Sequence, residues 1–326
     1  MANRFYLDID SYLSGHERTP FQERILPAFL LRPMLQSRLL LGLFNRMHGL
    51  FLPPWRGALF LISIVALAVA GYFCLLLYDA LSNTRSLQLL VYPVFLFAVL
   101  WSYMVLVQQP FSYPYDMLSL AFFTAGLYFI YQRRFLPLLL IVLIGTFNRE
   151  TTLFLIGIFV IDAISVRDTA ARLRDRIDLR RIPWLKALVL TVVWAAIKLT
   201  LHRKFLHNPT ENELRIHENL HYFAPKHLPA LLNICGYLVP VVLLLRRQLR
   251  PARFANYLLI LPVWFLVMFL TGVLLETRIY GELSAYAAIS TVLLLESHLA
   301  TRQPDLQTKS ADSALKTAGC PPAMTH

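Results

Sequence analysis

The sequence predicts an all-α membrane protein, a polytopic bundle of about nine apolar helices. Hydrophobic residues make up 57% of the 326 residues and charged residues only 15%, well below the roughly 25% charged content of soluble domains. Apolar runs recur between short polar gaps, and most reach the roughly 17 to 25 residues that a helix needs to cross a bilayer. These observations exclude an ordinary soluble domain.

The predicted elements divide the chain into three regions. Residues 1–55 form a loop and an amphipathic segment, whose arginines from Arg24 to Arg46 are spaced as in a helix that lies in the membrane interface. Residues 56–299 form the bundle, and residues 300–326 form a polar tail that is predicted to be disordered and cytoplasmic. The nine apolar runs are residues 57–81, 87–107, 115–131, 135–147, 151–164, 184–201, 228–245, 254–275 and 279–299.

Two of these runs, 135–147 and 151–164, are too short to cross a bilayer, and the polar triplet Asn148, Arg149 and Glu150 separates them. As one helix they would be about 45 Å long and would hold both charges in the hydrocarbon. As two short helices they form a hairpin with the triplet at its tip, which we expect. In either case the charges must face protein or water, and Glu150 is expected to compensate Arg149.

Positive charge sets the expected orientation. Lys and Arg collect in residues 165–186 and 246–253, so both loops are expected in the cytoplasm, as are Arg133 and Arg134 if the hairpin forms. The hairpin tip and the N-terminal segment then lie outside. A single long span with the N-terminus inside fits the charge count better and is the alternative. An outer N-terminus also predicts a further span before residue 1, because the chain opens without a signal peptide.

The excess of positive charge in the chain is explained by membrane topology rather than by nucleic-acid binding. The formal net charge is +12, but the basic residues lie in short loops, where orientation and anionic lipid headgroups account for them. The three cysteines, Cys74, Cys235 and Cys320, form no disulfide pattern. We therefore expect membrane lipid and no nucleic acid as a partner, while protein partners are not readable from the sequence.

Several short motifs resemble bacterial GT-C glycosyltransferases. The N-terminal segment has Asp10 two residues before Tyr12, and then PFQERILP, which contains Arg24. The stretches YPYDMLSLAFFTAGLYFIYQRR and LPLLLIVLIGTFNRETTLFLIGIFVI are similar to the central helices of that family, and ETRIYGELSAY to a late element of some members. The family consists of multi-pass enzymes that transfer a sugar from a polyprenyl-phosphate carrier on the outer face of the membrane.

The resemblance implies a polyprenyl-phosphate sugar donor and a bacterial inner-membrane location. A sugar on a phosphate already has a good leaving group, so transfer needs one carboxylate as a base and cations for the departing phosphate. We expect Asp10 to be the base, with Asp8 as the alternative. The expected substrate- and phosphate-binding residues are Arg24, Asp116, Asn148, Arg149, Glu150, Glu276 and Arg278.

The stretch HENLHYFAPKH raises a second enzyme class. His217, Glu218 and His221 have the spacing of zinc proteases, and His227 falls where metzincins place a third ligand, although Ala224 replaces their glycine. A zinc metallohydrolase is therefore one alternative, and a divalent metal is the only cofactor that the sequence raises. A lipid or solute transporter or flippase is another, because polar residues at membrane depth also line transport sites. In a protein without chemistry, the triplet would be structural.

Overall fold

The computed structural model describes residues 7–46, 53–82, 84–105, 113–164, 179–211 and 214–299, and these residues form helices and no strands. The helices are α1 Ile9–Ser14, α2 Leu26–Gln36, α3 Arg38–Arg46, α4 Pro54–Leu81, α5 Gln88–Leu100, α6 Asp116–Tyr131, α7 Phe135–Asn148, α8 Thr152–Ile164, α9 Trp184–Lys204, α10 Ile216–His221, α11 Leu228–Leu232, α12 Leu238–Leu244, α13 Ala252–Ala255, α14 Leu261–Thr271 and α15 at 284–299. The predicted tail, 300–326, lies outside the described residues.

Irregular turns extend three of these helices. A π-helical turn at Trp101–Val105 continues α5, and a 3-10 turn at Asn256–Ile260 joins α13 to α14. A second 3-10 segment, Thr277–Leu283, leads into α15. Single 3-10 turns also lie at Leu179–Arg181 and Pro225–His227.

Within the described ranges, four helical segments are long and apolar enough to cross a membrane: Pro54–Leu81, Gln88–Val105, Trp184–Lys204 and Ala252–Thr271. The helices α6, α7 and α8 are apolar but shorter. The predicted all-helical class is therefore confirmed, and four helices could cross a membrane by length and composition, whereas the count of about nine apolar helices is not confirmed. The prediction is wrong for the run 228–245, because Cys235, Gly236 and Tyr237 have positive φ angles and interrupt it between α11 and α12.

The helices α7 and α8 fold back on each other as a hairpin. At one end, the hydroxyl oxygens of Thr146 and Thr152 lie 2.9 Å apart. At the other, the ring centroids of Phe135 and Phe159 are 6.4 Å apart. The two helices are thus antiparallel, and the polar triplet occupies the tip. We call the end of the bundle with this tip the upper end, and the end with Phe135 the lower end.

The helix α6 packs closely along the hairpin. A Cβ atom added to Gly126 would lie 2.5 Å from Cδ1 of Leu155, so only glycine allows the observed approach of α6 and α8. The indole of Trp264 stacks on Phe154 with ring centroids 4.1 Å apart, which joins α14 to the same core. This packing holds the tip of the hairpin beside the first residue of α6.

The N-terminal segment covers the upper end. Thr19 donates its backbone N–H to Pro209 at 2.8 Å, beyond the upper end of α9. Tyr12 is fully buried and donates its hydroxyl to the Arg24 carbonyl. The predicted amphipathic segment forms two helices, α2 and α3, which pack on α4 through Leu31 and Phe44. The segment that follows α1 is therefore held against the bundle where the hairpin tip emerges.

Candidate functional site

Three arginines from distant parts of the chain meet at the upper end, and we call them and their carboxylate partners the arginine network. Arg24 lies just before α2, Arg149 in the hairpin tip and Arg278 in the 3-10 segment before α15. All three are buried. Their partners are the carboxylates of Asp116, Glu150, Glu276 and Glu282.

Arg149 is the innermost member of the network. Its Nη1 lies 3.6 Å from Oδ1 of Asp116 and 3.4 Å from Oε1 of Glu282. Thr151 donates its hydroxyl to the same Glu282 oxygen at 2.6 Å. The expected ion pair of Glu150 with Arg149 is not formed among the described residues, because the Arg149 side chain turns inward, towards α6 and the 3-10 segment, while Glu150 bonds Arg24. The Arg149 charge acts on Glu150 more weakly than the charge of Arg24 does.

Asp116 joins Arg149 to Arg278. Its Oδ2 lies 3.4 Å from Nη1 of Arg278, whose Nε donates to Glu276. The Arg278 guanidinium carbon lies 3.8 Å from the centroid of the Tyr113 ring, a cation–π contact that holds the side chain in place. Because Asp116 begins α6, its carboxylate is also favourably placed near the positive end of the helix dipole.

Arg24 and Glu150 form the second half of the network. The Arg24 Nε donates to Oε2 of Glu150 at 3.2 Å, and its guanidinium carbon lies 4.3 Å from the Tyr115 ring centroid. Burial raises the pKa of the Glu150 carboxyl, but the charges of Arg24 and Lys198 lower it by more, so its pKa lies below the ordinary value. Glu150 is therefore ionised at neutral pH.

Asn148 has a structural task in the turn. Its side-chain amide donates to the Tyr115 carbonyl at 3.0 Å and to the Ser119 hydroxyl at 2.8 Å, and the residue is fully buried. These bonds fasten the last residue of α7 to the first turn of α6. Its predicted role in substrate binding is not supported by this geometry, because none of its atoms reaches the surface.

The network has an exposed layer and a buried layer. The side chains of Glu150 and Glu276 are 32% and 29% exposed, whereas those of Arg149 and Glu282 are 6% and 1% exposed. Three guanidinium groups face four carboxylates, so the ionised network carries one excess negative charge. An incoming anion would reach Arg24 and Arg278 only by displacing the two carboxylates of the exposed layer.

The buried layer retains hydrogen-bonding capacity. A small cavity beside it is lined by Arg149, Glu282 and three hydroxyl side chains, and also by apolar residues; the other lining residues are Ser119, Thr151, Thr152, Phe122, Phe123 and Gly145. Within the described residues, Nε of Arg149 and Oε2 of Glu282 have no hydrogen-bond partner. A site of this polarity suits a water molecule or one small polar group.

The two candidate bases lie apart from the network. Asp8 is exposed and caps α1, because its carboxylate accepts from the Ser11 hydroxyl at 2.6 Å and from the Asp10 backbone N–H at 3.2 Å. These bonds lower the pKa of the Asp8 carboxyl. Asp10 is exposed in the first turn of α1, and no hydrogen bond or ion pair joins its side chain to the arginines among the described residues.

The predicted zinc ligands do not come together. Among the described residues, which include 214–299, no group of three or more His, Cys, Asp or Glu residues could hold a metal ion. Glu218, the expected catalytic base, instead pairs with Arg215 at 3.1 Å and accepts from the Tyr222 hydroxyl at 3.0 Å. His217, His221 and His227 therefore do not share a metal position in this structure.

A cluster of one buried carboxylate and two partly exposed basic side chains beside the network was not predicted. Glu23 is 5% exposed and accepts from Lys198 at 2.5 Å and contacts Nδ1 of His202 at 3.2 Å. Lys198 lies in α9 and is held by this carboxylate. The sequence contained one signal for this cluster: Lys198 stands four residues before His202 in the apolar α9, a spacing that places both on one helix face.

Comparison with protein-family models, with curated proteins and with solved structures gives no match to this chain. The likeness to GT-C glycosyltransferases therefore rests on the short motifs of the sequence.

Proposed function

We propose that the protein is a membrane glycosyltransferase that moves a sugar from a polyprenyl-phosphate donor to an acceptor hydroxyl at the upper end of the bundle. The observation that carries the proposal is that Arg149 and Arg278 both pair with Asp116, while Arg24 pairs with Glu150 and lies over the same Tyr115 ring as Arg149. These residues lie far apart in the sequence, and the motifs of the resemblance contain them. If these charges served packing alone, the partly exposed carboxylates of Glu150 and Glu276 would not need to lie beside the N-terminal segment.

In this proposal the upper end faces the outside of a bacterial inner membrane. The lower end carries Arg133, Arg134, Arg181 and Lys186, all exposed, which the positive-inside rule assigns to the cytoplasm. The α7–α8 hairpin then enters from the cytoplasmic side and returns to it. The helices α2 and α3 lie in the outer interface, because Phe29 and Leu39 are 74% and 78% exposed.

Arg24 and Arg278 are the proposed phosphate ligands. Each is held over a tyrosine ring and paired with a carboxylate of the exposed layer, Glu150 or Glu276. A phosphate accepts two parallel hydrogen bonds from a guanidinium, as a carboxylate does, so it can take the place of either glutamate. Arg149 is a positioning residue here, because its buried guanidinium pairs with Asp116 and Glu282 and lies 5.8 Å from the Tyr115 ring centroid.

Asp10 is the proposed base. Transfer breaks the bond between the sugar C1 and the phosphate oxygen, which keeps the electron pair, and forms a bond from C1 to the acceptor oxygen. The acceptor proton passes to the Asp10 carboxylate. Asp8 is less suited to this task, because its oxygens already accept the capping bonds of α1.

The test uses full-length protein in detergent or nanodiscs with a panel of polyprenyl-phosphate sugars, and it measures release of polyprenyl phosphate. Asp10→Asn is expected to lower the rate by roughly 10² to 10⁴ without changing donor affinity, since it removes only the base. The matched control is Asp8→Asn, which is expected to stay within about threefold of wild type. Equal, undiminished rates in both variants would contradict the mechanism, and no release from any donor by folded protein would contradict the function.

A further inference from the structure

The lower end contains a cavity that the transfer reaction does not use. Its volume is about 230 Å³, and it opens between the start of α7, the end of α8 and the start of α9. The cationic lining residues are Arg133, Arg181 and Lys186, and the apolar ones are Ile130, Phe135, Phe159, Ala163 and Pro183. The only carboxylate in the described lining is Asp162.

That carboxylate is already compensated from the opposite side. Arg253 donates to both oxygens of Asp162, at 2.6 and 2.7 Å, and to the Tyr131 carbonyl at 3.0 Å. Tyr257 donates its hydroxyl to Asp162 at 2.5 Å. Since this ion pair is neutral as a unit, Arg133 and Lys186 give the described lining a positive potential.

Two helix N-termini add to this potential. The helix α7 begins at Phe135 and α9 at Trp184, and neither has a side-chain cap for its first N–H groups. Helix N-termini bind phosphate groups through such N–H groups and through the positive end of the dipole. Lys186 is held above the cavity by a cation–π contact, with Nζ 5.4 Å from the Phe135 ring centroid.

We propose that this cavity binds the phosphate headgroup of an anionic membrane phospholipid. The cavity is smaller than the roughly 300 to 1,000 Å³ of pockets that enclose a whole small molecule, so it suits a headgroup with its chains outside. Leu136, Trp184 and Leu185 flank it and are 71%, 68% and 75% exposed, which provides an apolar surface for those chains. The proposal is independent of the transfer reaction at the other end.

The structure offers a matched pair of variants. Arg133 has a positive φ of 55° at the end of α6, a conformation that glycine adopts without strain, so Arg133→Gly removes a lining charge without disturbing the turn. Arg134 is its exposed neighbour with the same charge and does not line the cavity. Arg134→Gln therefore controls for general attraction to an anionic surface.

The experiment measures binding of phosphatidylglycerol to the full chain by native mass spectrometry, with phosphatidylcholine and inorganic phosphate as further probes. Each lining cation lost is expected to weaken phosphatidylglycerol binding about fivefold, so Arg133→Gly with Lys186→Gln weakens it about 25-fold, and Arg134→Gln less than twofold. Equal losses in Arg133→Gly and Arg134→Gln would overturn the site. Equal binding of phosphatidylcholine, or binding of inorganic phosphate as tight as that of the lipid, would overturn the assignment to an anionic lipid.

Discussion

Removing Arg149 from the buried layer tests the architecture of the network directly. In Arg149→Met the side chain keeps an unbranched apolar stem but loses the guanidinium and its charge, so Asp116 and Glu282 both lose a cationic neighbour. Breaking a buried ion pair by removing one partner costs about 3 to 5 kcal/mol. Because Asp116 keeps Arg278 and Glu282 keeps the Thr151 hydroxyl, we expect the lower end of that range, about 3 kcal/mol.

A double-mutant cycle identifies the partner. Glu282→Gln removes the charge that Arg149 compensates, so the Arg149→Met and Glu282→Gln pair should show a coupling of about 1.5 to 3 kcal/mol, towards the upper part of the range for contacting residues. The sequence indicated Glu150 as the partner, and a second cycle of Arg149→Met with Glu150→Gln separates the two readings. We expect a coupling below about 0.5 kcal/mol in that cycle.

The assay is the free energy of unfolding of purified protein in mixed micelles of mild detergent and sodium dodecyl sulfate. The control is Arg215→Ala, which removes a half-exposed ion pair with Glu218 and should cost at most about 1 kcal/mol. A loss below about 1 kcal/mol for Arg149→Met, or a larger coupling to Glu150 than to Glu282, would refute the two-layer arrangement.

Three further predictions concern other parts of the molecule. Gly281→Ala should lower the free energy of unfolding by about 1 to 3 kcal/mol, because the new methyl group overlaps the Tyr103 ring. In a chain that already contains Tyr103→Ala, the same Gly281→Ala substitution should cost less, because the ring is gone. Asn219→Ala should cost at least about 3 kcal/mol in the same assay, because its amide bonds two backbone carbonyls and one N–H at 2.7 to 3.0 Å. Reporter fusions after Arg134 and after Arg181 should place both on the same side of the membrane, and opposite sides would exclude a hairpin that returns to its own face.

The all-helical class could be predicted from the sequence because it depends on the length and hydrophobicity of local runs of residues. A run of apolar residues predicts a helix in a membrane wherever the backbone must satisfy its own hydrogen bonds, and four such helices are present. Length favoured the hairpin, since 135–147 and 151–164 are each too short to span, whereas the charge count favoured a single long span. The break at 233–237 was not readable, because left-handed φ angles at Cys235 and Tyr237 have no signature in residue type.

The site was predictable as a set of residues but not as a set of pairs. Charged residues next to apolar runs are visible in the sequence, so Asp116, Arg149 and Arg278 were predicted to belong to the site. Which carboxylate meets which arginine depends on the rotation of α6 and α8 and on the course of residues 277–283, and these are tertiary properties. For the same reason Glu282 was left out of the predicted site, although it contacts Arg149.

The contact between Arg149 and Glu282 joins residues 133 positions apart, whereas Asp116 precedes Arg149 in the chain. A ribosome that feeds this protein into a membrane therefore delivers the hairpin with one of its two carboxylates and long before the other. Until the segment Thr277–Leu283 emerges, Arg149 can pair with Asp116 but not with Glu282. At that stage Asp116 has no ion pair with Arg278 either. Synthesis of Thr277–Leu283 thus completes the charge pairing of a hairpin that was inserted near the middle of the chain.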